Sequence, residues 1–296
     1  MLTIRDVTFG DTFPFAPHYH EVNGIQLHYV DAGRGEPVLM VHGDPTWGYL
    51  YRRFIAPLAA DHRCIVPDHM GMGKSSVPHT PYPYRLHHHI ANLESLVLSL
   101  DLNEITLVLH DWGGPVGLGV AVRHAQRIKR LVLMNTWAFA SWPGAPFPRL
   151  LQVIRSPRGE KFVLHKHGYL EPALLGTTLY PERLTATVLA AYHAPFPTPD
   201  SRRALLCWSR DIPVDVNDAS FATMQQIELE LHQFRNRPVL VLWGMHDPVL
   251  PATVLRRWQE VYPHAVTHAI DTASHFLQED APERILHHLE TFLRHD

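Results

Sequence analysis

The chain contains 296 residues, with 26 Lys and Arg against 29 Asp and Glu, for a net charge of −3. This balance lacks the basic excess that attracts nucleic acid or an anionic membrane surface. No run of about 18 apolar residues is available to span a bilayer, and no secretory run opens the sequence, so we expect a soluble cytoplasmic protein. The two cysteines, Cys64 and Cys207, have no metal-ligand spacing and are expected to be reduced thiols.

Histidine is frequent, with 23 residues, but the arrangement does not indicate a metal centre. His87, His88 and His89 fall in a predicted helix, and no pair is spaced as in His-Glu-x-x-His. We therefore expect most histidines on the solvated surface. We also expect neither a metal nor a cofactor.

The first elements predict the start of a mostly parallel sheet. Asn23-Gly24 is a turn signal ahead of residues 25–30, whose alternating pattern predicts an antiparallel hairpin strand. Short apolar runs at 37–41 and 64–68 predict strands that are buried on both faces. Between these two runs, the pattern from Tyr49 predicts a helix.

Strands and helices alternate along the next part of the chain. Residues 85–100 carry helix periodicity, and residues 116–124 predict a second helix. Apolar runs at 107–110 and 131–135 predict two more strands. Such alternation is typical of a doubly wound α/β sheet.

The pattern changes after the last of these strands, where a Pro-rich segment at 141–148 precedes a series of helical pieces. A buried strand returns only at 238–243. We therefore predict a core domain of residues 1–136 and 226–296, with a helical cap domain, residues 137–225, inserted between two core strands. A cap in this position would close a pocket over the catalytic edge of the sheet.

Asp111 directly follows the strand at 107–110 and precedes Trp112-Gly113-Gly114, which leads into a helix. A strand that enters a helix through a tight turn presents the turn side chain at the carboxyl edge of the sheet, as in the Gly-x-Ser-x-Gly nucleophile elbow. Asp111 is therefore our candidate nucleophile. Asp247 and His275 follow two later strands and complete the nucleophile, acid, histidine order of a hydrolase triad. Each residue alone is compatible with a structural role, but three strand ends in this order predict an active site.

The segment His110-Asp111-Trp112-Gly113-Gly114 resembles the haloalkane dehalogenase group of the α/β-hydrolase superfamily. The loop at 42–47, His-Gly-Asp-Pro-Thr-Trp, and the late Ser-His-Phe at 274–276 extend the resemblance over nearly the whole chain. The resemblance implies an α/β-hydrolase fold with a helical cap. It also implies a small apolar halogenated substrate, water as co-substrate and a halide product, in a monomer or small homo-oligomer. Some members place the catalytic acid where this chain has Asn135, which assigns that role here to Asp247.

A carboxylate nucleophile suits displacement at a saturated carbon. Serine would form an ether there, whereas Asp111 would form an alkyl ester that water can hydrolyse. In this hypothesis His275 deprotonates the water and Asp247 holds the imidazole tautomer. The backbone N–H groups of Asp44 and Trp112 would form the oxyanion hole.

The indole N–H of Trp112 is a donor without acceptor capacity, which suits a departing halide in an apolar pocket. Family members generally have a second donor, often an Asn at the position of Asp44. An ionised Asp44 would repel a halide, so this side chain points away, is protonated by burial, or leaves the task to another donor. Trp137, Trp142 and Trp208 are the candidate donors, and Trp137 is the one we favour.

Three alternatives remain open from the sequence. A β-lactone decarboxylase is similar through the loop at 42–47 and the segment Val66-Pro67-Asp68-His69. Epoxide hydrolases share the Asp-Trp-Gly turn but need cap tyrosines, for which Tyr169, Tyr180 and Tyr192 are available. A catalytically silent binding protein of the same fold is the alternative from another class.

Overall fold

The computed structural model describes residues 4, 7–9, 11–78, 84–140 and 147–294. Across these ranges the strands form one eight-stranded sheet in the order β1-β2-β4-β3-β5-β6-β7-β8. The strands are β1 Pro17–Val22, β2 Ile25–Ala32, β3 Pro37–Val41, β4 Arg63–Pro67, β5 Ile105–Asp111, β6 Ile128–Thr136, β7 Val239–Gly244 and β8 Val266–Ile270. The pairs β1–β2 and β2–β4 are antiparallel and all others are parallel.

Helices flank this sheet on the described part of the chain. They are α1 Arg52–Leu58, α2 Leu86–Ser99, α3 Gly113–Arg123, α4 Arg149–Arg155, α5 Leu170–Thr177, α6 Ala186–His193, α7 Arg203–Asp211, α8 Phe221–Glu230, α9 Ala252–Val261, α10 Leu277–Asp280 and α11 Pro282–Arg294. The helix predicted from Tyr49 begins as a 3-10 turn, Gly48–Tyr51, before α1. No helix in the described ranges combines the length and apolar character needed to cross a bilayer.

The central strands are apolar because both of their faces are covered. Every residue of β3, β5 and β7 is buried, as expected for parallel strands between helices. Helix α3 lies very close to β5 at Gly117, where a Cβ atom would meet the side chain of Leu109 at 2.3 Å. Glycine at this position therefore allows the helix that follows Asp111 to pack directly on its strand.

The predicted doubly wound, mostly parallel sheet is confirmed. Between β6 and β7 the described residues form helices and turns but no strand, and this segment is called the helical insert below. Helix α8 runs across the predicted domain boundary at residue 225. The division into core and cap domains stays a prediction.

Two expectations about single residue types can be compared with the structure. Cys64 and Cys207 are both free thiols. Several histidines depart from the expected solvated surface, because His42, His69 and His89 are buried. His89 stacks on Trp208 with 3.8 Å between ring centroids, so part of the polyhistidine run on α2 packs inside the protein.

Candidate active site

The geometry around Asp111 is that of a side chain held at a sharp turn. Asp111 ends β5 with a φ of 50° and is 5% exposed. The loop after β3 comes so close that a Cβ at Gly43 would lie 2.2 Å from Oδ1 of Asp111. The backbone N–H of Asp44 donates to that Oδ1 at 2.9 Å, and the backbone N–H of Trp112 also bonds the carboxylate. These are the two donors that the sequence predicted for an oxyanion hole.

The structure brings the three predicted triad residues together. His275 follows β8, and its Nε2 lies 3.5 Å from Oδ2 of Asp111. Its Nδ1 lies 2.8 Å from Oδ2 of Asp247, which follows β7. All three side chains are buried. The imidazole therefore sits between two carboxylates at the carboxyl edge of the sheet.

Burial and neighbouring charges shift the pKa values of His275 and Asp111 in opposite directions. Burial alone lowers the pKa of His275, but the charge of Asp247 and the hydrogen bond to Asp111 outweigh burial and raise the pKa to about 10. For Asp111, by contrast, burial raises the pKa, but the hydrogen bond and charge of His275 outweigh burial and hold the pKa below its usual value. The resting site thus contains an ionised Asp111 beside an imidazolium.

Asn135 is a site residue whose role the sequence did not reveal. It is the penultimate residue of β6, next to β7, and its amide donates to Oδ2 of Asp247 at 2.7 Å and to the carbonyl of Gly244 at 3.1 Å. The other carboxylate oxygen, Oδ1, accepts from the backbone N–H groups of Val249 and Leu250 at 2.7 and 3.0 Å. Asp247 is therefore fixed from both sides. The position of Asn135 near the end of a parallel strand is the signal that marks it in the sequence.

A cavity of about 110 Å³ opens beside Asp111, and its wall is mainly apolar. Trp112 and Trp137 both line it, with edge-to-face rings 5.1 Å apart. Other apolar lining residues include Leu151, Ile212 and Phe276 from the helical insert and from the segment after β8. An apolar cavity with a few convergent polar groups is the usual form of a small-molecule site.

Asp44 is one of the polar residues that line this cavity. Its Oδ2 accepts from the hydroxyl of Tyr169 in a very short hydrogen bond and from Ser209 Oγ at 3.4 Å. Burial raises the pKa of Asp44 well above its ordinary value, and the charge of Asp111 adds to this, against the hydrogen bonds from the two hydroxyls. Burial therefore favours the neutral form of Asp44, whereas the two hydroxyl donors favour the ionised form.

The other aromatic candidates occupy different places. Trp208 stands behind Trp112, with ring centroids 4.8 Å apart, and Trp142 lies outside the described residues. Among the three tyrosines that the sequence offered for epoxide chemistry, Tyr169 lines the cavity. Tyr192 donates to Glu279 at 2.5 Å instead, and the ring of Tyr180 lies under the guanidinium of Arg183.

The turn, the parallel sheet and the buried Asp-His-Asp group together define an α/β hydrolase. A family model described as the alpha/beta hydrolase fold matches residues 36–282, and the chain belongs to this family. Its relatives include haloalkane dehalogenases, as the sequence predicted.

The chain is similar to several proteins over most of its length. It is 36% identical over 282 residues to a Shewanella oneidensis protein named cis-3-alkyl-4-alkyloxetan-2-one decarboxylase, covering 95% of this chain and 89% of that protein. It is 32% identical over 276 residues to haloalkane dehalogenase 2 of Mycobacterium tuberculosis, covering 92% and 93%. The crystal structure of a mutant of the haloalkane dehalogenase DatA from Agrobacterium tumefaciens superposes with a TM-score of 0.86 at 30% identity, covering 97% and 98%.

Proposed function

We propose that this protein decarboxylates 3,4-dialkyl-substituted β-lactones to alkenes, with Asp111 as the nucleophile. The observation that carries the proposal is the buried residue Asp44 in the wall of the cavity, at the position where the dehalogenases often have an amide. The relatives from Shewanella oneidensis and Xanthomonas campestris, which are named for this reaction, add support at 36% and 34% identity.

The first step is displacement at a saturated carbon. Oδ2 of Asp111 attacks the ring carbon that bears the ring oxygen, and the carbon–oxygen bond breaks with its electron pair on the ring oxygen. The product is an alkyl ester of Asp111 whose alkyl group carries a carboxylate. This leaving carboxylate has two oxygens, and it can accept from the indole N–H of Trp112 and from a neutral Asp44 O–H. Charge-assisted hydrogen bonds of this kind are short and strong.

The second step releases both products without water. The bond between the carboxylate carbon and its neighbour breaks to give CO2, and its electron pair forms the carbon–carbon double bond. The ester bond to Asp111 breaks at the same time, and the carboxylate of Asp111 is restored beside the His275 imidazolium. The apolar wall around Leu151 and Phe276 favours the conversion of a buried carboxylate into neutral products.

Haloalkane dehalogenation is the second candidate, favoured by the two indole rings of Trp112 and Trp137 in the cavity. In this reaction the alkyl ester is hydrolysed. Alkylation removes the negative charge of Asp111, which is one cause of the raised pKa of His275. The pKa of the imidazole then falls, and neutral His275 can deprotonate the attacking water. The N–H groups of Asp44 and Trp112 stabilise the resulting oxyanion.

One comparison of substrates tests both candidates. The purified protein is incubated separately with a cis-3,4-dialkyl β-lactone and with 1,2-dibromoethane, and alkene and bromide are quantified. We expect alkene and CO2 from the lactone, and none with Asp111→Ala. Bromide release without any alkene would replace the proposal by the dehalogenase reaction. Absence of turnover with both substrates and with epoxides would favour the silent binding protein.

A further inference from the structure

The carboxyl group of Asp280 joins the helical insert to the segment that carries His275. Asp280 is the last residue of α10, and its side chain is buried. Its Oδ2 accepts from the backbone N–H of Ser274 at 2.8 Å, and its Oδ1 accepts from the N–H groups of Leu179 and Tyr180 at 2.9 and 3.0 Å. The N–H of Leu179 also lies 3.1 Å from Oδ2. Both oxygens of Asp280 therefore bond backbone N–H groups, from the insert on one side and from the residue before His275 on the other.

The main chain of His275 is itself held at two points. Its N–H donates to the carbonyl of Thr177, the last residue of α5, at 3.1 Å. Its carbonyl accepts from Nε2 of His110 in β5 at 2.8 Å. Because a carbonyl oxygen only accepts, Nε2 of this buried imidazole carries a proton. The main chain of His275 is thus held between β5 and the helical insert.

These backbone contacts matter because the His275 imidazole has little room for displacement. Its Nδ1 lies 2.8 Å from Oδ2 of Asp247, but its Nε2 lies 3.5 Å from Oδ2 of Asp111. The second distance is already at the limit of a hydrogen bond, so a small movement away from Asp111 breaks the contact. A displacement of about 1 Å in a catalytic site can lower the rate about 100-fold.

We propose that Asp280 is a positioning residue: it fastens the helical insert to the His275 segment and thereby holds the imidazole within reach of Asp111. A carboxylate suits this role because both of its oxygens accept. The amide of Asn has one acceptor oxygen and would place its NH2 group against an N–H donor. Asp280 is not among the described residues that line the cavity, so it acts through His275 and not on the substrate. The effect on turnover rests on the proposed function, whereas the position of the imidazole does not.

Proton NMR of the substrate-free protein tests the position of the imidazole. The Nδ1 proton of His275 lies in a buried hydrogen bond to Asp247, and we expect a resolved downfield signal that His275→Gln removes. In Asp280→Asn this signal should move upfield or broaden through exchange with water. The reason is that the NH2 group of the variant displaces either the N–H of Ser274 or those of the insert.

Asp218→Asn is the matched control, because it also replaces a carboxylate of the insert by an amide. Asp218 accepts from the backbone N–H groups of Val214 and Asp215 on a single oxygen, which Asn retains, so the His275 signal should stay unchanged. A milder second variant replaces Leu179 by its α-hydroxy acid, which exchanges the backbone N–H for oxygen and keeps the side chain. It should shift the signal as Asp280→Asn does. An unchanged signal in either folded variant overturns the inference.

Steady-state kinetics with the β-lactone measure the consequence for turnover. We expect Asp280→Asn to lower kcat roughly tenfold with KM little changed, because the wall of the cavity is retained. A raised KM with unchanged kcat contradicts the positioning role. If the wild type does not convert the lactone, the proposed function fails and the NMR comparison still decides the inference. If the wild type converts the lactone but the His275 signal is the same in Asp280→Asn, the inference alone fails.

Discussion

The side-chain amide of Asn135 donates to Oδ2 of Asp247 at 2.7 Å, and Oδ2 is also the oxygen that bonds His275. Asn135 has a φ of 31°, a conformation that Asn and Asp tolerate better than other side chains. Its own oxygen accepts from the backbone N–H of Gly244 at 2.7 Å. The amide thus orients Asp247 while joining β6 to β7.

Replacement of Asn135 by Asp should make activity depend on pH in a new way. The variant places a second carboxyl group against Asp247, so one of the two has a raised pKa. At low pH the protonated Asp still donates, and activity is retained. As the pH rises through that pKa the donor is lost and like charges repel, so kcat should fall about tenfold or more relative to the wild type. The pH profile of kcat is the measurement.

Asn217→Asp is the matched control for this variant. Asn217 donates to Asp215 at 2.7 Å in an exposed loop, where solvent screens the two carboxylates. Its pH profile should coincide with that of the wild type. If the pH profile of kcat for Asn135→Asp also coincides with that of the wild type, Asn135 does not orient Asp247.

Removal of the Asp111 charge should lower the pKa of His275 below its wild-type value of about 10, because Asp111 is one of the groups that raise it. The group has a raised folded-state pKa, so its stabilising effect is complete below the unfolded value of about 6.5 and is lost as pH rises through the folded value. Asp111→Asn should therefore show a smaller loss of stability in alkali. NMR titration of the ring nitrogens, assigned with His275→Gln, measures the pKa. An unchanged value would mean that Asp247 alone sets it.

The meeting of the three candidate triad residues was predictable from the sequence, because each is tied to the end of a strand. Asp111, Asp247 and His275 each follow an apolar run, and parallel strands place their carboxyl ends together. The contact between Tyr169 and Asp44 was not predictable in this way. The two residues are 125 positions apart. Tyr169 lies in the helical insert, and no periodic pattern in the sequence indicates how this insert packs on the sheet. The burial that raises the pKa of Asp44 is equally a property of tertiary packing.

Trp112→Phe should reduce kcat while the fold is retained. The ring packs between Trp137 and Trp208, at 5.1 and 4.8 Å, and phenylalanine preserves much of that contact while removing the indole N–H. A hydrogen bond to a charged group contributes about 1.5–3 kcal/mol, so the rate should fall roughly 10- to 150-fold. Steady-state kcat with the lactone is the measurement. Trp243→Phe is the control, since its N–H bonds the carbonyl of Leu250 at 3.3 Å, and it should affect thermal stability but not kcat. Equal kcat losses in the two variants would refute the role of Trp112 as a donor.

A buried ion pair between α1 and α10 also accepts a hydrogen bond from the helical insert. Arg52 in α1 makes a bidentate contact with Glu279 in α10, at 2.6 and 2.7 Å, and Tyr192 of α6 donates to the same carboxylate. Burial alone lowers the pKa of Arg52, but the hydrogen bond and charge of Glu279 outweigh it and raise the pKa above its ordinary value. The guanidinium therefore stays charged in the interior.

Glu279→Gln should destabilise the protein strongly, because it leaves a buried charge without its partner. We expect a loss of about 3–5 kcal/mol in the free energy of unfolding. The matched control is Glu283→Gln, whose partner Arg53 is 3.7 Å away and whose side chain is 84% exposed, and it should change stability by less than about 1 kcal/mol. Urea unfolding with the slope fitted freely measures both. Because Tyr192 loses an anionic acceptor at the same time, a second, earlier transition confined to the insert would show that this contact holds the helices over the site. A loss as small as that of the exposed pair would mean that water reaches Arg52 and that the interior contact contributes little.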